Sequence, residues 1–145
     1  MKAWHFLRTT PEYPAGVLRD STPAPADGEV LRVNGQLEMC YHGLHFSINA
    51  LDALSYAPGL LICRVDIPDS ARVENDKGVA SRRTIDWRAD ATDAVVGWAQ
   101  WCADEVSHLT TDPRAAAQAA AWAPQAAARA AQNIELTRRL EALKP

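Results

Sequence analysis

Cysteine is scarce in this sequence: Cys40, Cys63 and Cys102 are the only three in 145 residues, an odd number with no C-x-x-C pair. That excludes a disulfide framework and fits reduced thiols packed as small apolar groups, an intracellular pattern. Charge of one sign is also lacking. Fifteen Lys and Arg against eighteen Asp and Glu leave a formal net charge of -3, too little field to draw in phosphate backbones, which argues against general nucleic-acid binding. No apolar run approaches the ~18 residues of a membrane span, so no membrane partner is expected. The few apolar residues between Lys2 and Arg8 are too short for the core of an export signal. P-loop, G-x-G-x-x-G and G-x-S-x-G patterns are all missing.

What is present is ordinary globular material, 48% hydrophobic and 23% charged, in a chain of a length that supports one core. The pattern predicts an α+β fold: a small mixed, mostly antiparallel sheet in the N-terminal part, followed by C-terminal helices. Residues 1–111 are expected to form one α+β domain. Residues 112–145 read as an Ala-rich helical extension, packed on that domain or in an oligomer interface.

Ala3 to Arg8 reads as a first strand, and the Pro, Gly and Asp-rich run Pro11 to Gly28 as a long loop, a candidate cover for a site. Asn34-Gly35 between Glu29 to Val33 and Gln36 to Met39 predicts a two-residue hairpin, because Asn-Gly tolerates the positive φ of a type I′ turn. Ile48 to Ala57 predicts a short helix capped by Ser47 or Asn49 and ended by Pro58-Gly59. Leu60 to Ile67 predicts a buried strand, and Val79 to Trp87 another after the polar turn Asn75 to Gly78.

From Asp90 the period lengthens, with Val95, Trp98, Trp101, Cys102 and Val106 on one helical face that is expected to pack on the sheet. Asp112-Pro113 is a helix start, and Pro124 is expected to divide the Ala-rich stretch that runs to Gln132. Leu136, Leu140 and Leu143 form a narrow stripe, either packed on its own domain or joining copies in a small homo-oligomer.

Candidate chemistry concentrates at Gly43-Leu44-His45-Phe46-Ser47. Cys40-x-His42-x-x-His45 offers ligands of a kind that zinc takes, but strand alternation puts 40 and 42 on one face and 45 on the other, so packed polar residues are the expectation and no metal is assigned. Arg82-Arg83, with Lys77 and Arg72 nearby, could meet phosphate, although only one of two adjacent strand residues can face a given ligand. Charges guarding an edge strand are the simpler reading.

The Gly43 to Ser47 segment, with Tyr56 beyond it, resembles the Gly-aliphatic-Tyr-Phe-small motif of the poly-ADP-ribose polymerases and their diphtheria-toxin-like relatives. In those proteins ten residues separate two aromatic residues that sandwich nicotinamide, and ten separate His45 and Tyr56 here. The resemblance implies an ADP-ribosyltransferase-like fold that binds NAD or a related nucleotide and could transfer ADP-ribose. His45 and Tyr56 would clamp nicotinamide, Phe46 and Ser47 would support the pocket, and His5 on the first strand would hold the ribose. The relatives finish with a glutamate on a late strand; Val79 to Trp87 contains none, and Asp86 is the nearest substitute. The same stretch, with Asp76-Lys77 and the Ala/Trp-rich tail ending at Ala131-Gln132-Asn133, is also similar to small uncharacterised bacteriophage and prophage proteins. That similarity implies work in the cytosol of a bacterial host. Two expectations follow: an NAD-dependent transferase, or a non-catalytic interaction or inhibitor protein acting on a host or phage protein.

Overall fold

The computed structural model describes residues 1–107 and 125–145. Its elements run in the order β1 (Lys2–Leu7), β2 (Val30–Arg32), β3 (Leu44–Phe46), α1 (Ala50–Ser55), β4 (Leu61–Asp66), β5 (Arg72–Val73), β6 (Gly78–Ala80), β7 (Arg82–Asp90), α2 (Thr92–Ser107) and α3 (Gln125–Glu141). The α+β class is as expected, with strands first and helices last. Among the described residues every strand pair is antiparallel, with no parallel pair to make a sheet mixed.

The strands form two sheets, one ordered β1-β4-β7-β2 and a smaller one ordered β3-β6-β5. Alternation along β1 divides the core. Trp4 and Phe6 point to one face, where Ile62, Trp87, α1 and Leu136 and Leu140 of α3 pack. Ala3 and Leu7 point to the other, with Phe46, Cys63, Val65 and Ile85, so the smaller sheet closes that side.

The Leu136 and Leu140 side chains are fully buried within the domain, and Leu143 packs beside them. The leucine stripe therefore packs on the chain's own core, the first of the two arrangements expected for it. Each such leucine contributes roughly 1.5–3 kcal/mol by leaving water. Arg64 of β4 lies over the Trp4 ring at 4.3 Å and reaches Glu141 at 3.4 Å, tying the end of α3 to the sheet. The predicted helix start at Asp112-Pro113 and the break at Pro124 lie outside the described residues. Among the described residues no helix is long and apolar enough to cross a membrane.

Two local expectations fail for the same reason, competition from a distant partner. Val30–Arg32 does not turn back on Gln36 to Met39; it pairs with Thr84, Arg83 and Arg82 of β7, and the Val33 amide continues the ladder to the Ser81 carbonyl at 2.9 Å. The Asn34-Gly35 turn closes instead on His42, whose Nε2 lies 2.7 Å from the Asn34 carbonyl oxygen. Consequently β7 is an interior strand, and Arg82-Arg83 do not guard an edge. The long early loop is pinned as a cover: Arg88 bonds Asp27 at 2.7 Å and the Ala15 carbonyl at 2.5 Å, and also the Pro25 carbonyl.

Candidate functional site

Among the described residues the backbone pairing between the two sheets is one bridge, from Trp4 of β1 to Ser47 just after β3, whose amides and carbonyls exchange hydrogen bonds of 2.8 and 3.0 Å. Pairing does not continue past that point, and the seam opens into a cleft. Its smaller end, about 240 Å³, is lined by His5, His45, Tyr56, Lys77 and Arg19, together with Phe46 and Ser47. An adjoining cavity of about 1070 Å³ shares His5, His45, Tyr56 and Arg19 and adds Arg8, Arg32 and Arg83.

Each wall has a local cause. Gly43, at φ +129°, lets the chain enter β3 against β6, where a Cβ would meet the Val79 side chain at 2.2 Å. His45 is then paired with Val79, on the opposite side of the strand from its buried neighbours Leu44 and Phe46. Its Nε2 accepts the Cys40 amide at 2.9 Å, which places any ring proton of the neutral imidazole on Nδ1. Burial first, then Arg19, Arg83 and Lys77, hold its pKa below the ordinary histidine value.

Tyr56 follows α1, whose first turn is fastened from a distance. Asn49 is the N-cap residue, as expected, but its side chain bonds Asp52 at 2.9 Å, while Asn133 of α3 accepts the Leu51 amide at 3.0 Å. Ser47 serves in the bridge to β1 and not as a cap. The Tyr56 ring is half exposed, its hydroxyl donates to Asp76 at 2.5 Å, and the Lys77 ammonium stands 5.5 Å from its centre. The Asp76-Lys77 turn thus orients the tyrosine and adds a cation to the rim.

His5 faces the same cleft from β1. Among the described residues no protein group bonds its ring. Burial, then the charges of Arg83 and His45, hold its pKa well below the histidine range, so it is neutral near pH 7. Phe46 is mainly core, since its ring lies where a Cβ on Gly78 would come within 2.2 Å.

Asp86 is the exception among the expected site residues. The β4-β7 register passes from Arg64↔Trp87 to Val65↔Ile85, so Asp86 is the extra residue of a bulge. It turns outward to Lys2, 2.8 Å away, and does not line the cleft. The late strand presents Arg83 instead, 4% exposed, donating to the His45 carbonyl at 2.7 Å. Cysteine and histidine do not gather as metal ligands: among the described residues no group of three or more potential ligands converges.

Arg83 was legible only as half of a basic pair. Arg19 and Arg32 carried no sequence signal, one lying in the long loop and the other in an assumed hairpin. Compared with protein-family models, with curated proteins and with solved structures, the chain matches none.

Proposed function

We propose that the chain is a nucleotide-binding protein of ADP-ribosyltransferase-like build, which holds NAD or a related nucleotide in the His5, His45 and Tyr56 cleft without transferring ADP-ribose. The observation that carries this reading is the convergence of those three side chains, far apart in sequence, on one cavity. A neutral imidazole and a phenol ring at its walls suit a planar heterocycle, and the free ring nitrogens of His5 suit a sugar hydroxyl.

Transfer would require a group that stabilises the positive charge developing on the ribose as the glycosidic bond breaks and its electron pair leaves with nicotinamide. The late strand offers a guanidinium there. Among the described residues the one carboxylate on the cleft lining, Asp20, lies exposed in the loop and accepts from Thr22 at 2.6 Å. Leu136 and Leu140 are consumed in the core and so offer no contact surface to the interaction-protein alternative.

Isothermal titration of the full chain with NAD, ADP-ribose and nicotinamide tests the reading, with mass spectrometry of the NAD mixture. Binding without nicotinamide release is expected. Failure of all three to bind the folded protein overturns the nucleotide assignment, and steady nicotinamide release overturns the non-catalytic part.

A further inference from the structure

Ring stacking leaves the charge of the cleft unexplained. Arg83 is 4% exposed, and its one hydrogen-bond acceptor among the described residues is the His45 carbonyl, so most of the five N–H donors of its guanidinium are free. No carboxylate pairs with it. Burial lowers its pKa to about 10, and it stays charged at neutral pH. A buried cation without an acidic partner is costly to fold and is retained where a ligand supplies the missing charge.

Arg19 lines the same cavity; Arg32 borders it too, but it pairs with Arg82 and its side chain lies on the other face of the sheet from Arg83. Arg19 spends one donor on the Cys40 carbonyl at 3.1 Å, and Arg32 is exposed with no side-chain bond among the described residues. Asp20 is already held by Thr22 and neutralises none of them. Guanidinium forks match phosphate oxygens in pairs, which ammonium groups do not.

We propose that Arg83, with Arg19, is a phosphate subsite, and that the cleft takes a nucleoside diphosphate with its phosphates at Arg83 and its ring toward His45 and Tyr56. This rests on the nucleotide reading above and moves the source of affinity from nicotinamide to the phosphates. Oxidised NAD gains no advantage over ADP, since its pyridinium ring would carry a positive charge toward Lys77 and Arg19.

Titration of the full chain with adenosine, ADP and inorganic pyrophosphate, repeated with Arg83→Gln and Arg19→Gln, is the test. ADP is expected to bind at least ~10-fold more tightly than adenosine. Arg83→Gln should weaken ADP by ~10- to 100-fold and leave adenosine unchanged. Raised salt should weaken ADP and pyrophosphate and leave adenosine unchanged. Equal binding of ADP and adenosine, insensitive to salt and to either variant, overturns the subsite and leaves the nucleotide cleft standing. Binding of pyrophosphate with no nucleoside contribution keeps the subsite and overturns the nucleotide. If none of the three binds, both fall. Should Arg83→Gln not fold, the exposed Arg19→Gln and the salt series decide the matter.

Discussion

Arg83 of the late strand donates a 2.7 Å hydrogen bond to the backbone carbonyl of His45. The bond crosses the seam between the two sheets and joins the two residues that most define the cleft. It fixes the strand on which the His45 imidazole rides, and it commits a buried cation to a place where burial alone would exclude one.

If Arg83 is kept for binding and not for stability, Arg83→Met should leave the unliganded protein about as stable as before. Replacing a buried charge by an apolar side chain of similar length is commonly neutral, or stabilising by ~1–4 kcal/mol, and the orphaned His45 carbonyl offsets part of that gain. Urea unfolding of both proteins checks this; a loss above ~3 kcal/mol would mark Arg83 as a structural residue.

Tyr56→Ala should weaken any ring-bearing ligand by ~0.5–1.5 kcal/mol beyond the area lost, and Tyr56→Phe should largely restore it. Because the ring is half exposed, thermal stability should barely move. Calorimetric titration of the three proteins makes the comparison; equal affinity in a folded Tyr56→Ala protein counts against stacking.

Asp86→Asn should leave nucleotide affinity unchanged, since its carboxylate meets Lys2 at 2.8 Å outside the cleft. With the Lys2 side chain 52% exposed, the lost pair should cost under ~1 kcal/mol. A large change in affinity would return Asp86 to the site.

His5 and His45 have folded pKa values below the unfolded value of about 6.5, owing first to burial, then to Arg83 and His45 for His5 and to Arg19, Arg83 and Lys77 for His45. Above that value both states carry neutral rings and the histidines do not affect stability. As pH falls below it the unfolded chain takes up protons first, so stability drops until the folded rings protonate too. Melting temperatures measured from pH 7.5 down to 5 should fall, and His5→Gln should flatten the decline. A slope unchanged in that variant would show that His5 does not titrate as its surroundings require.

Leu140→Asp should unfold the domain and not dissociate an oligomer, because the side chain is fully buried against Trp4, Phe6 and α1. The milder Leu140→Ala should cost ~2–5 kcal/mol. Asn133→Ala should cost about 1 kcal/mol, through the Leu51 amide it leaves uncapped. Chemical unfolding with light scattering separates the cases; a halved mass with retained fold would restore the oligomer seam.

The sequence by itself determined what depends on neighbours within a few residues. The strands at β1 and β4, the short helix between Asn49 and Tyr56, and the long helix after Asp90 follow from local apolar period, capping residues and Pro or Gly stops, whereas the one strand expected over Val79 to Trp87 is two, β6 and β7, in different sheets. The spacing from His45 to Tyr56 likewise placed two rings at the two ends of one strand-turn-helix unit. Tertiary structure decided what depends on which distant backbone wins a strand edge. β2 left its own Asn-Gly turn for β7, because a long interior strand offers a full ladder where Gln36 to Met39 offers little. The bulge turned Asp86 out, and alternation before it turned Arg83 in. The two residues are three apart in the sequence, and no local rule distinguishes which of them meets the cleft. That depends on the β4-β7 register, a property of the paired strands and not of either one alone.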